Sequence, residues 1–227
     1  LRHSFEPSGI IFDLDGTLLD TEPLYTLATQ KVLDPFGKTF DLAFKRTIVG
    51  REAKISAAMT VAEYDLDMSP EAFLTQRATY LQVMFPDARP ISGAEQFVNR
   101  LHALGLPMAI ATSSSRDMFE LKRSKKPWLQ AMETTLCGDE VLHSKPAPDI
   151  FLAAASKLGL APAKCLVFED AITGFQAAKA ANMPVVAIDN PYLLAADRDE
   201  ADGLIKDFKS LLDPNHTTFS VELARAF

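Results

Sequence analysis

Cysteine is nearly absent: Cys137 and Cys165 are the only two in 227 residues. Two thiols cannot make the disulfide framework of a small secreted scaffold. Each sits in a short apolar run that predicts a buried strand, so a reducing, cytoplasmic setting is expected. Basic charge is also in short supply. Twenty-three Lys and Arg against 30 Asp and Glu leave a formal charge of −7, the wrong sign for binding nucleic acid or anionic membrane nonspecifically. No apolar run approaches the ~18 residues of a membrane span, and the opening stretch from Leu1 to Pro7 lacks the plan of a signal peptide. The chain begins at Leu1 without an initiator Met, as a processed or trimmed chain would. His3, His102, His143 and His216 are scattered without metal-ligand spacing, which argues against zinc. Neither a Gly-x-Ser-x-Gly elbow nor a glycine-rich dinucleotide fingerprint is found, and no repeat or low-complexity segment. What is present is hydrophobic residues at 48%, enough to bury a substantial core in one large domain or two smaller ones. A monomer is expected.

Five apolar stretches predict strands: Gly9–Leu14, Pro107–Ala111, Thr134–Cys137, Lys164–Phe168 and Pro184–Ile188. Near-continuous hydrophobicity, rather than strict alternation, predicts a parallel sheet covered by helices on both faces. Helical patterns fall between the strands. Ser92 and Glu95 make a capping box ahead of Phe97, Leu101 and Leu104, with Gly105 as the stop. Asp149 opens a segment striped by Ile150, Ala154 and Leu158, and Ile172, Phe175 and Ala178 mark another before Asn182. From about Leu24 to Arg89 the rhythm changes. No good strand appears there, but Leu24, Leu27, Ala28 and Val32 form one helix face, Ala53–Ala62 favours helix, and Ser69-Pro70 starts a third. The expectation is an α/β fold, a Rossmann-like parallel sheet core, with an inserted α-helical cap subdomain. Residues 1–22 and 90–227 would form the core and 23–89 the cap. The tail after Pro214 shows no clear pattern and is expected to pack on the surface.

Four short motifs carry chemistry. Asp13-Leu-Asp-Gly-Thr17 follows the first strand, with Asp13 and Asp15 on one side while the chain stays extended and Gly16 permitting a turn. Thr112-Ser-Ser-Ser-Arg116 puts hydroxyls and free N–H groups at a strand-to-helix junction suited to an anion. Lys145-Pro-Ala-Pro-Asp149 holds one cation on a stiff approach, and Glu169-Asp170 ends another apolar strand. Each alone has a plainer reading: an Asp-Gly turn, a helix cap, an exposed loop lysine, dipole compensation. Together they favour one site, because all lie at the carboxyl ends of predicted parallel strands, where open α/β sheets bind ligands. The four carboxylates would contribute −4 if ionised, while a phosphate monoester brings about −2. Such a site would repel its substrate without Mg²⁺, Lys145 and one protonated carboxyl. Hard oxygen ligands are what Mg²⁺ prefers.

These motifs, in this order and spacing, resemble those of the haloacid dehalogenase-like hydrolase superfamily. The stretches Asp13 to Tyr25, Pro146 to Phe151 and Leu166 to Ala171 are similar to the group holding pseudouridine-5′-phosphatase, small sugar-phosphate phosphatases and β-phosphoglucomutase. The resemblance implies an Mg²⁺-dependent phosphatase of a small phosphorylated metabolite, such as a sugar phosphate or pseudouridine 5′-phosphate. Asp13 would be the nucleophile forming an aspartyl-phosphate, and Asp15 the acid and then the base. Asp13, the Asp15 carbonyl and Asp170 would bind Mg²⁺, with Glu169 close by. Thr112 and the Ser113 N–H would hold phosphoryl oxygens, and Lys145 would offset charge on Asp13 and the phosphate.

Asp15 itself favours phosphate esters over carbon–halogen bonds, because the dehalogenases of the superfamily do not need a second aspartate there. A phosphosugar mutase is the first alternative, but β-phosphoglucomutase-like sequences carry a cap histidine where this chain has Tyr25. A non-catalytic regulatory protein on the same fold is the second, and intact motifs speak against it. The cap is expected to choose the substrate, with Glu22, Tyr25, Arg51 and Arg116 as candidates for its polar groups. Lys122-Arg-Ser-Lys-Lys126 is the one basic run and reads as a solvated helix end, with Trp128 anchoring the next segment to the core.

Overall fold

A strand buried on both faces divides its side chains between two cores, and that division organises most of this chain. The computed structural model describes residues 3–49, 53–212 and 218–224; Gly50, Arg51, Glu52 and His216 lie outside them. The chain separates into two compact units, Leu1–Asp20 with Arg89–Phe227, and Thr21–Ala88.

The first unit is built on six parallel strands, β2 (Gly9–Phe12), β5 (Met108–Ala111), β6 (Thr134–Leu136), β7 (Cys165–Glu169), β8 (Val185–Ile188) and β9 (Gly203–Ile205). They lie in the order β6-β5-β2-β7-β8-β9. Register aligns Phe12 with Ile110 on one side and Phe168 on the other. Ile10, Phe12, Ile110, Leu166, Phe168 and Val186 point into one core, and Ile11, Ala109, Val167, Val185 and Ala187 into the other. This is the α/β, Rossmann-like architecture that doubly buried apolar runs require. Helix α5 (Ala94–Ala103) covers the first core with Phe97, Val98 and Leu101. Helices α7 (Asp149–Lys157) and α8 (Ile172–Ala180) supply Ile150, Phe151, Phe175 and Ala178 to the second. Phe97 packs on Phe208 at 5.2 Å, Phe219 at 5.3 Å and Phe168 at 5.7 Å between ring centroids. Helices α6 (Arg116–Arg123) and α9 (Ala195–Arg198) complete the layers, and a two-residue ribbon pairs β3 (Leu19–Asp20) with β4 (Arg89–Pro90).

Three expectations fail here. No Ser92–Glu95 capping box forms, because Gly93 is the N-cap of α5 and no side chain caps it. Gly93 has φ +81°, and a Cβ there would lie 2.6 Å from the Lys209 nitrogen, so a close backbone approach fixes the turn at glycine. The tail does have structure: β10 (Val221–Leu223) pairs antiparallel with β1 (His3–Phe5), and Phe219, Val221 and Leu223 are buried in the first core. The sixth strand, β9, was also missed, since Gly-Leu-Ile is too short to signal a strand. Trp128 is buried in the first core as expected, and both cysteines are free and buried.

The second unit contains α1 (Glu22–Leu33), α2 (Leu42–Ile48), α3 (Ala53–Glu63) and α4 (Pro70–Met84). Ser69 caps α4 by accepting from the Ala72 N–H at 3.2 Å, with Pro70 in the first turn. Val32, Leu33, Ala57, Leu66 and Phe73 form its own small core. Among the described residues no helix is long and apolar enough to cross a membrane.

Candidate active site

The chemistry-bearing side chains gather where β2, β5 and β7 end. Asp13 leaves β2 with its N–H still donating to the Phe168 carbonyl at 2.9 Å, so the first motif starts as an extension of the sheet. Gly16 then reverses the chain at φ +79°, its N–H bonding the Leu19 carbonyl at 2.7 Å. Glu169 is the last residue of β7, and Asp170 follows it into the turn before α8.

Lys145 is not an exposed loop lysine. Its side chain is 4% exposed, and Nζ donates to Asp13 Oδ1 at 2.6 Å, Glu169 Oε1 at 2.7 Å and the Ala111 carbonyl at 3.0 Å. One ammonium therefore ties together the ends of three strands that are distant in sequence. Glu169 uses its other oxygen to accept from the N–H groups of Asp170 and Ala171, at 2.7 and 2.9 Å. Burial raises the Asp13 carboxyl to about 7; Lys145 opposes this, while Glu169 and Asp15 add to it. For Lys145, burial works against the ammonium, but Asp13 and Glu169 outweigh it and lift its pKa above the usual lysine range.

Asp13, Glu169 and Asp170 each offer an oxygen, all within 4.8 Å of one another. The Asp170 carboxylate rests against the α-carbon of Gly16, in space a Cβ would fill. An all-oxygen donor set in such a cradle fits a hard divalent cation.

Asp15 has a different partner, one the sequence reading missed. Lys122 was read as part of a solvated helix end, yet it is 0% exposed and its Nζ lies 2.6 Å from Asp15 Oδ1 and 2.7 Å from Oδ2. Ser114 Oγ accepts from the same ammonium at 2.7 Å and donates to Asp15 Oδ2 at 2.8 Å. The phase of α6 accounts for this: Lys122 is three residues beyond the buried Phe119, on the same inward face. That three-residue offset was the available signal. Each aspartate of the first motif thus has its own lysine, and two ammonium groups stand against the four carboxylates.

Thr112 is fully buried, and its Oγ1 accepts from the Ser114 N–H at 3.1 Å. Ser113 is close to Gly138, where a Cβ would meet the Ser113 carbonyl. Arg116 is committed elsewhere. Its Nη2 lies 2.7 Å from Glu140 Oε2 and donates to the Thr135 carbonyl at 2.9 Å. His143 is exposed and bonds Asp149 at 2.9 Å. In the helical unit Glu22 pairs with the buried Lys45 at 2.9 Å, and the Tyr25 ring lies 5.5 Å from Phe85 and 5.7 Å from the Arg77 guanidinium.

A family model described as haloacid dehalogenase-like hydrolase matches residues 10–188, which contain all four motifs. The chain belongs to that family. It is 41% identical over 189 residues to the Drosophila melanogaster protein named "Probable pseudouridine-5'-phosphatase", covering 81% of this chain and 82% of that one. It is 39% identical over 211 residues to "(DL)-glycerol-3-phosphatase 2" of Arabidopsis thaliana, covering 88% of each. In fold it is similar to β-phosphoglucomutase from Clostridium difficile, with a TM-score of 0.73 and 19% identity over 91% of this chain and 93% of that one.

Proposed function

We propose that this haloacid dehalogenase-like hydrolase is an Mg²⁺-dependent phosphatase of a small phosphorylated metabolite. Its substrate would be a nucleoside-type monophosphate such as pseudouridine 5′-phosphate or a small polyol or sugar phosphate. The observation that carries the reading is the Lys145 ammonium bridging Asp13 and Glu169 at 2.6 and 2.7 Å, beside a third carboxylate at Asp170. Both relatives named above bear phosphatase names.

Asp13 is the nucleophile. One carboxylate oxygen attacks phosphorus, the bond from phosphorus to the ester oxygen breaks, and an aspartyl-phosphate forms. Asp15 gives its proton to the departing alcohol, then takes one from the water that hydrolyses the acyl phosphate, which restores Asp13 and frees phosphate. Lys145 offsets charge on Asp13 and on the phosphoryl oxygens. Thr112 Oγ1 accepts from Ser114, which leaves its O–H to donate to a phosphoryl oxygen alongside the Ser113 N–H. Asp13, the Asp15 carbonyl and Asp170 would hold Mg²⁺, with Glu169 fixing Lys145 and the turn beside them. When bound there, the ion would offset negative charge on the phosphoryl oxygens during transfer.

Asp13→Asn is the direct test, since an amide is a poor nucleophile of nearly the same shape. Phosphate release from a panel of pseudouridine, glycerol and hexose phosphates should vanish while circular dichroism stays native. Undiminished turnover in the variant would dismiss the covalent route.

A further inference from the structure

We infer that Lys122, acting with Ser114, is a positioning residue that holds the Asp15 carboxyl group in the orientation for proton transfer to the leaving oxygen. The inference rests on the proposed role of Asp15 as acid and base.

A fully buried lysine is costly unless its charge is paired and its donors are used. Lys122 meets both conditions on Asp15. Nζ reaches both carboxylate oxygens, at 2.6 and 2.7 Å, and Ser114 Oγ reaches Oδ2 at 2.8 Å. Contacts to both oxygens fix rotation of the carboxyl group as well as its position. The holder is itself held. Phe119, one turn back on the same helix face, is buried in the first core. The Lys122 carbonyl accepts from Lys126 Nζ at 2.7 Å, and Lys126 is only 5% exposed. Ser114 is fixed at both ends of its peptide: its N–H donates to Thr112 Oγ1 at 3.1 Å, and its carbonyl accepts from the Gly138 N–H at 2.8 Å.

Lys145 makes a separate set of contacts to Asp13, Glu169 and the Ala111 carbonyl. The two lysines thus divide the work. One serves the attacking carboxylate and the phosphoryl group, and the other serves the proton donor. As the Asp13–phosphorus bond forms and the ester bond breaks, the leaving oxygen takes the Asp15 proton. The carboxylate left behind stays anchored by Lys122 and Ser114, in place to accept a proton from the hydrolytic water.

The test compares kcat/KM, which reports steps up to the first irreversible one, for two esters. One is p-nitrophenyl phosphate, whose leaving group needs little protonation, and the other is the alkyl phosphate turned over best in the panel above. Lys122→Met should lower the alkyl phosphate value by about 10- to 100-fold, the cost of misplacing a proton donor. The p-nitrophenyl value should fall by less than about threefold. Lys122→Arg should recover part of the loss. Adding Lys122→Met to Asp15→Asn should change neither ester by more than about twofold, since a residue acting through Asp15 has nothing left to position.

Equal slowing of both esters by Lys122→Met, or a full additional loss on top of Asp15→Asn, would overturn the inference. If Asp15→Asn itself slows the two esters equally, the general-acid reading of Asp15 fails instead. Should Lys122→Met not fold, Ser114→Ala decides the matter. A smaller loss confined to the alkyl phosphate supports the positioning role, and an equal loss on both esters overturns it.

Discussion

Replacing Gly174 by alanine ought to stabilise α8 if helix preference were all that mattered, by about 1 kcal/mol. The site reverses that sign. A Cβ at Gly174 would sit 2.5 Å from Glu169 Oε2 and nearer still to Cδ and Oε1, all inside the 3.0 Å that Cβ contacts respect. Glu169 is 2% exposed and accepts from Lys145 Nζ, the Asp170 N–H and the Ala171 N–H. Its carboxylate cannot retreat without lengthening some of these bonds. Hydrogen bonds to a charged group contribute about 1.5–3 kcal/mol each. Losing two, less the helix gain, makes Gly174→Ala destabilising by about 2 to 5 kcal/mol. For a chain of this size that is a fall in melting temperature of roughly 4 to 20 °C. Phosphate release should fall as well, by about 10²-fold, because Lys145 loses the partner that aims it. Thermal unfolding followed by circular dichroism, and turnover at a temperature where the variant is folded, measure the two effects. A melting temperature equal to or above that of the parent, with normal turnover, would refute the reasoning.

Three further outcomes can be checked. With Asp13 raised to about 7, the proposed Mg²⁺ would have to displace a proton below that pH. Its affinity by titration calorimetry should therefore climb about tenfold per pH unit up to neutrality and level off above. By the same linkage, a raised carboxyl stabilises the metal-free fold fully below its unfolded value of 3.8 and loses that contribution as pH rises through about 7. Metal-free protein should melt lower at pH 8 than at pH 5 through this group, and Mg²⁺ should recover the difference. In the first core, Phe97→Ala removes a fully buried ring that contacts Phe12, Phe168, Phe208 and Phe219. Urea unfolding should show a loss of about 3–5 kcal/mol.

Most of the sheet was legible because a doubly buried strand has little freedom in composition. Ile10-Ile-Phe12 and Leu166-Val-Phe168 must be apolar on both faces, and nothing polar interrupts them. Helix starts were legible where a local device makes them, as at Ser69-Pro70, and failed where a tertiary approach does, as at Gly93 beneath Lys209. The tail was illegible for a similar reason. Phe219, Val221 and Leu223 alternate over too few residues to signal a strand, and their partner is the other end of the chain at His3–Phe5.

The motif residues announced themselves by joint occurrence and order, since each motif alone has a plainer reading and only together do they mark one site. Local order could not assign their partners. The family resemblance set Lys145 beside Asp13, whereas Lys122 stood in a run that read as exposed; each is buried on a carboxylate more than a hundred residues away in sequence. Which ammonium serves which aspartate depends on how the strands lie side by side and on the rotation of α6 about its axis. Pairing energies at that range exist only once the chain is folded. Hydrophobic pattern, a local property, carried the architecture; the pairing of charges, a property of the assembled sheet, needed three dimensions.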